Sequence, residues 1–356
     1  MVSLRFVTKR LLLLVPVLFG VATFVFGMLH LSPGDPAILM AGRRADQAFV
    51  EEIRRELGLN RPIYVQYVDF LWQVVRADFG ESFILMRGRA VSDILEARFP
   101  VTLELALYGQ FLGILFGVPL GVVSALKQDT LTDHLTRVGA LAGISVPIFW
   151  SGPVLIMVLA NWLRVVPTGG RIAYEYSPDT ITGLITVDTF IQSFADAVTF
   201  QPLDLYFNFD PADFGMFIDA AHHMLLPCLV IGIYSMALIS RMTRSSMLEV
   251  IRQDYMRTAR AKGQGEKITI LKHGLQNALI PVVTIVGIQF GTLLGGAILT
   301  ETVFNFNGIG TLLVEAIAVS DYPIVQGTVL LFAFLFTLVN LGVDITYSYL
   351  DPRIDQ

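Results

Sequence analysis

The sequence predicts an all-α integral membrane protein with six transmembrane helices and both termini in the cytoplasm. Three observations predict it. Of 356 residues, 54% are hydrophobic and only 15% charged, against about 25% charged in soluble domains. Apolar runs of about 20 residues, the length that crosses a bilayer, recur along the chain. Lys and Arg concentrate in one internal segment between two such runs, the asymmetry that marks a cytoplasmic loop. The formal charge of −5 carries little weight, because the two sides of a membrane protein differ in sign. Cys228 is the single cysteine, so neither an internal disulfide nor a cysteine metal site can form.

Arg5, Lys9 and Arg10 precede the apolar run Leu11–Leu31. The run is too long for a signal-peptide core and no small-residue cleavage site follows. It is read as an uncleaved first span entering from the cytoplasm, with Pro16 as a tolerated kink. Ser32 to Pro100 is polar and is placed outside. Its nine arginines do not conflict, since long translocated segments escape the positive-inside rule. Within it, residues 31–36 form a turn cluster, and Phe49–Leu57 and Ile63–Val75 have helical periodicity. A structural cap over the outer mouth is preferred to a substrate site.

Val101–Leu126 is the second span, broken by Gly117-Val-Pro-Leu-Gly121. Lys127, His134 and Arg137 put the next loop inside. Val138–Leu163, uncharged over 26 residues, is the third span and contains Pro147 and Pro153. Prolines and glycines in spans serve hinges or packing, and packing is preferred. Arg164–Ala221 is the second outer segment, with eight acids and two arginines. These acids are read as solvated, the alternative being contact with a basic patch on a partner. His222 and His223 point about 100° apart on a helix, so they are read as interfacial rather than as joint metal ligands. Met224–Ser240 is a short fourth span that continues into the following loop.

That loop, Arg241 to Pro281, holds eight of the 25 Lys and Arg residues against three acids. Met247, Leu248, Ile251, Tyr255 and Ala259 recur at three- and four-residue spacing and so share a helix face. Gly263 and Gly265 interrupt the pattern before a second helical set, Ile268, Leu271, Leu275 and Leu279. An amphipathic helix exposed in the cytosol buries its apolar face on lipid or in a partner's groove. Ala278–Thr300 is the fifth span. Gly287, Gly291 and Gly295 bare one of its faces for close helix approach. Gln289 near mid-span should face protein or water, and it is a candidate for the translocation path. Glu301–Asp321 is an outer loop without basic residues. Tyr322–Val343 is the sixth span. Asp344, in its last turn, is expected to pair with an arginine of the basic loop rather than to act in transport.

Several of these stretches resemble a known family. Asp254-Tyr-Met-Arg-Thr-Ala-Arg-Ala-Lys-Gly263 and Asn277-Ala-Leu-Ile-Pro281 are similar to the EAA loop of ABC importer permeases, in the dipeptide, oligopeptide and nickel branch. Arg257-Thr258-Ala259 stands where many importers have Glu-Ala-Ala. Ser240–Glu249, Leu31–Pro36, Asp351-Pro-Arg353 and the re-entry-loop-like Glu301–Phe304 and Gly308–Gly310 extend the likeness, with Asn307 where many relatives have proline. Thr180–Thr189 resembles an insertion of dipeptide permeases, which favours dipeptides over nickel or longer peptides. The resemblance implies a type I importer fold. Residues 1–100 are then an N-terminal helix plus outer segment. Residues 101–350 form the permease core, with an acidic insertion at 164–221 and a coupling loop at 241–280, and 351–356 form a cytoplasmic tail.

It further implies a prokaryotic inner-membrane protein beside a paralogous second permease, two cytosolic ATPases carrying ATP and Mg, and an extracytoplasmic peptide-binding protein, without nucleic acid. Met247, Ile251, Tyr255, Arg257, Thr258, Ala259, Arg260, Ala261, Lys262 and Gly263 would dock the ATPase. No cofactor or metal is expected on this chain, which lacks any Gly-x-x-x-x-Gly-Lys-Ser/Thr loop. Two other classes compete. A secondary carrier would want several mid-span acids or histidines, but only residues near span ends such as His30, Glu104 and Asp344 are found. An intramembrane enzyme would need a catalytic constellation in the spans, and none has sensible spacing.

Overall fold

The computed structural model describes residues 4–31, 36–41, 46–56, 58–197 and 214–350. The turn cluster at 32–35, the end of the acidic insertion at 198–213 and the tail at 351–356 lie outside the described residues. Helices dominate, and the single isolated bridge among the described residues joins Glu81 to Ala90.

Helix α1 (Leu4–Leu31) carries Pro16 within it. Its apolar stretch Thr8–Met28 is only 11% buried, so it is a peripheral helix with most of its side chains turned away from the protein. Short helices α2 (Pro36–Ala41), α3 (Gln47–Glu56) and α4 (Ile63–Val75) follow, the last two close to the expected bounds. Helix α5 (Val91–Leu126) corrects the reading of the second span in two ways. It begins ten residues earlier and is not broken at residues 117–121. Pro119 is accommodated inside the continuous helix, as membrane helices tolerate proline.

The third span is not one rod. Helix α6 (Leu131–Ser145) and helix α7 (Ile148–Leu155), which continues as a π-helical turn to Trp162, meet at 102°. Pro147 stands at the break with extended backbone, and the residue before a proline is driven from the α region. Val146 accordingly has ψ 120°. Within the acidic segment, α8 (Ile185–Ala197) is helical. Helix α9 (Gly215–Ile251) runs without interruption from that segment into the basic loop, as the expected continuation of the fourth span requires, although it starts nine residues before Met224. After the loop come α12 (Gln276–Gly296), α13 (Ile298–Phe304), α14 (Ile309–Val319) and α15 (Tyr322–Leu350). Helices α13 and α14 meet at 91°. Among the described residues five helices are long and apolar enough to cross a membrane, or up to seven if each bent pair is one span.

The core is the seam between α5 and α9. Gly109, Gly113, Gly117 and Gly121 recur every fourth residue on α5, so they stack on one face. A Cβ at these positions would meet Ile231, Ser235, Ile239 and Thr243 of α9, at 2.7, 2.6, 3.0 and 2.5 Å respectively. The two backbones therefore approach as small-residue helices do in lipid. A second seam joins α12 to α15, where Gly287 lies against Val343 and Gly291 against Phe336. Gly295, expected to share that face, has nothing within 4 Å and takes no part. Leu105, Leu226, Ile231, Leu293 and Phe304 fill the centre between these pairs.

Candidate functional site

The basic loop is built from the end of α9 outward. That helix stops at Ile251 because Arg252 and Gln253 donate back to Glu249 and Val250 instead of continuing the ladder, and Gln253 turns extended. A new helix, α10 (Asp254–Ala261), starts with Asp254 in its first turn, where a carboxylate opposes the positive helix end. It ends on Gly263 at φ +76°, a left-handed position that glycine takes without steric cost. Gly263 N–H donates to Arg260 at 2.9 Å and Gln264 N–H to Ala259 at 3.3 Å, which closes the turn. Helix α11 (Glu266–Ile268) and a π-helical turn (Thr269–Leu275) then lead without a break into α12.

This geometry corrects the sequence reading of the loop. The expected face Met247, Ile251, Tyr255, Ala259 spans two helices, since the break at residues 252–253 rotates one against the other. Met247 is fully buried in a cluster with Val122, Ala125 and Ala278 and has no surface to offer a partner. Met256, not singled out by periodicity, is also fully buried. Its methyl and that of Met247 lie on either side of Gly274, where an added Cβ would sit 3.4 and 3.6 Å from them. Met256 and Ala259 thus fasten α10 to the chain's own body. The outward face consists of Tyr255, Arg257, Thr258, Arg260, Ala261 and Lys262, all exposed. Arg260 pairs with Glu266 at 2.9 Å through Nη2 and 3.2 Å through Nε, which holds the Glu266 carboxyl below its usual range. Arg257 lies 3.6 Å from Asp254. The side α10 presents is therefore polar and basic, its apolar side being used internally.

Asp344 forms an ion pair, but with Arg10 of α1 at 2.8 Å rather than with the basic loop. The loop's Arg244 instead clamps Asp133 with two 2.7 Å bonds, and Ser124 adds a third to the same carboxylate. Gln289 is buried and its Nε2 has no hydrogen-bond partner. It lines a cavity of about 320 Å³ with Leu238, Arg241, Met242, Ser245, Ile285 and Ile288, between α9 and α12. His222 Nε2 meets the Val165 carbonyl and His223 Nδ1 the Asp219 carbonyl. Among the described residues no group of three His, Cys, Asp or Glu side chains is placed to hold a metal.

The opposite end of the bundle is held by buried carboxylates that sequence reasoning missed. Glu104 accepts from Arg171 Nη2 at 2.6 Å, from the Ile185 and Thr186 amides at the start of α8, and from the Thr186 hydroxyl. Glu301 accepts from the Thr102 and Thr311 hydroxyls and the Thr311 amide, and Gly308 packs directly on it. Asp321 accepts from Ser82 and from the consecutive amides of Phe83, Ile84 and Leu85. Asp188 gathers Thr182 and three amides. Burial pushes its carboxyl up, but the Thr182 hydroxyl and the Thr182, Gly183 and Ile181 N–H groups outweigh it and leave it below the ordinary value. Part of the acidic insertion is thus internal structure, not the solvated face expected. Nothing in the periodicity marks these residues, because the partners of Glu104, Glu301 and Asp321 lie on other elements and those of Asp188 in the turn before its helix.

Residues 117–356 match the family described as binding-protein-dependent transport system inner membrane component, and residues 3–106 match the N-terminal part of such membrane components. The di/tripeptide transport system permease protein of Pseudomonas aeruginosa (strain UCBPP-PA14) is 43% identical over 352 residues, covering 99% of this chain and 98% of that one. The dipeptide transport system permease protein of Escherichia coli (strain K12) is 42% identical over 357 residues, with 99% and 98% covered. The glutathione transport system permease protein of the same strain is 38% identical over 351 residues, with 99% of each chain covered.

Proposed function

The chain belongs to the family of binding-protein-dependent transport system inner membrane components, and from that premise we propose that it carries dipeptides into the cytoplasm as one permease of an ATP-driven importer. It is a non-catalytic membrane subunit. Hydrolysis falls to two ATPase partners, which bind ATP and Mg. A paralogous permease completes the path and an extracytoplasmic binding protein delivers substrate. In this reading the chain crosses the bilayer six times. The bent pair from Leu131 to Trp162 counts as one span, the pair from Ile298 to Val319 dips in from outside, and both termini are cytoplasmic.

The observation that carries the coupling role is the fastening of α10. Its inward face is locked by Met256 against Gly274, while Tyr255, Arg257, Thr258, Arg260, Ala261 and Lys262 face outward. A partner gripping that face moves the ends of α9 and α12 together. The ATPase cleft should accordingly be acidic at its rim, with a pocket for Tyr255. Rim ion pairs contribute only about 0–1 kcal/mol each, so Tyr255 is the expected anchor. The cavity beside Gln289 lies between the two helices so moved and is assigned to the path.

The test is uptake of a labelled dipeptide into vesicles holding the reconstituted complex, with and without this chain. Dependence on the chain, ATP and the binding protein, with competition by unlabelled dipeptide, supports the function. Competition only by glutathione or longer peptides transfers the reading to those substrates, and uptake without ATP overturns it. Gly263→Val strains the turn, and uptake and assembly unchanged by it would refute the coupling role.

A further inference from the structure

A second cavity, of about 300 Å³, opens at the basic end of the bundle between α5, α6 and α9. Arg137, Arg241 and Arg244 line it with the hydroxyls of Ser124, Thr136, Ser240 and Ser245, while Ala140, Leu141 and Ile144 form its apolar wall. Arg244 has given Nε and Nη2 to Asp133. Arg137 and Arg241 are exposed and, among the described residues, make no ion pair or side-chain hydrogen bond. Two guanidiniums on one small cavity with no acidic partner there offer donors to an anion, and the planar guanidinium fork suits phosphate oxygens. Such a cavity takes an anion.

The surroundings say which kind. Leu131, Leu135, Val138 and Leu141 of α6 are 74%, 64%, 63% and 57% exposed and recur at helical spacing, so an apolar strip runs along the helix past Arg137, with Leu141 continuing it from the cavity wall. A ligand that satisfies both the guanidiniums and this strip is charged at one end and oily along its length. We propose that this cavity binds the phosphodiester headgroup of an anionic phospholipid, whose acyl chains lie along α6. Basic pockets between membrane helices on the cytoplasmic side are the places where such headgroups bind. The occupied site would brace α6 against α9 through Arg137 and Arg241, in parallel with the Asp133–Arg244 clamp.

The experiment reads bound lipid directly, so its outcome does not depend on which substrate is carried. The assembled complex is placed in bilayers of phosphatidylcholine with 20% (about one in five) phosphatidylglycerol. It is then extracted gently and weighed by native mass spectrometry. The expected result is a retained phosphatidylglycerol that is lost with Arg137→Gln plus Arg241→Gln and kept with Lys at both positions. Each basic group near an anionic surface contributes about fivefold in affinity, so the double change should weaken retention roughly 25-fold. Arg252→Gln, on the same loop but outside the cavity, controls for general loss of charge. Retention equal in the double Gln variant and the parent overturns the proposal. So does displacement of the signal by millimolar (~10⁻³ M) inorganic phosphate, which would mean a free-anion site, or cross-linking of Arg137 to an acidic residue of the second permease. A double Gln variant that fails to assemble is replaced by Arg137→Gln alone, with the fivefold loss as its expectation.

Discussion

Gly121→Ala tests the seam on which the fold rests. The added methyl would stand 2.5 Å from Thr243 Cβ and 2.7 Å from the Ser240 carbonyl oxygen. Neither atom can rotate away, one being a Cβ and the other backbone, so α5 and α9 must separate locally by about 1 Å. Overpacking of this kind costs roughly 1–3 kcal/mol. Alanine simultaneously gains up to about 1 kcal/mol of helix propensity over glycine, so the proper reference is a glycine with room. Gly20 in α1 has nothing within 4 Å of its Cβ position, and Gly20→Ala takes the propensity gain alone. The two variants should differ by about 1–3 kcal/mol in the opening of the bundle. Cys228 reports it: it is the only cysteine, it lies on α9, and it is 3% exposed. With the other subunits free of cysteine, maleimide labelling of Cys228 proceeds through opening of the packed helices. The free-energy difference becomes a labelling rate roughly 5- to 150-fold faster in Gly121→Ala than in Gly20→Ala. Equal rates would refute the close approach of α5 and α9.

The remaining expectations concern the polar anchors. Glu301→Ala leaves Thr102 and Thr311 donors buried without their acceptor and should lower stability by about 2–5 kcal/mol, read by thermal unfolding in detergent, with Glu301→Gln losing less. Asp344→Asn removes a pair whose side chains are 42% and 30% exposed, so a change of only about 0–1 kcal/mol is expected in the same assay. Asp188, with its carboxyl depressed on folding, stabilises the 181–188 turn above the ordinary carboxylate range and loses that contribution as pH falls through the lowered value. The protection of the Thr182 and Gly183 amides, measured against their intrinsic exchange rate at each pH, should therefore fall on acidification in the parent and be low at every pH in Asp188→Ala.

Helix positions were largely legible because a span announces itself by length and hydropathy, and Ile63–Val75 by its period. Their ends were not. Residues 91–100 of α5 include Asp93, Glu96, Arg98 and Pro100, so composition placed them outside a helix whose start is set by packing against Ile309, Leu312 and Ile324. The glycine pattern was read at 287, 291 and 295, whereas the longer seam uses the same four-residue spacing at 109–121. Spacing tells that a face is bare, not whether another helix meets it. In the loop, the turn at Gly263 was visible, but the face was misdrawn. The break at Arg252–Gln253 carries no proline or glycine, and it lets Met247 and Met256 both pack beside Gly274.

That arrangement bears on how force would travel through the molecule. The four glycines join α5 to α9 at backbone distance, and Gly287 and Gly291 bring α12 close to α15. Each pair is packed too closely for its helices to slide apart without many contacts breaking at once. Helix α12 also packs on α9 and α5, and this surface shared by the two pairs holds the unpartnered Nε2 of Gln289 beside a cavity that reaches Arg241 and Ser245. Helix α10 touches both, through the end of α9 on one side and the continuous run from Glu266 into α12 on the other. Under the proposed coupling role, displacing it loads the ends of α9 and α12 together, and the Gln289 cavity between them is the proposed place where that load is taken up. The buried carboxylates at the far end, Glu104, Glu301 and Asp321, tie their loops to these same helix pairs, so in that reading the far end is carried along with them.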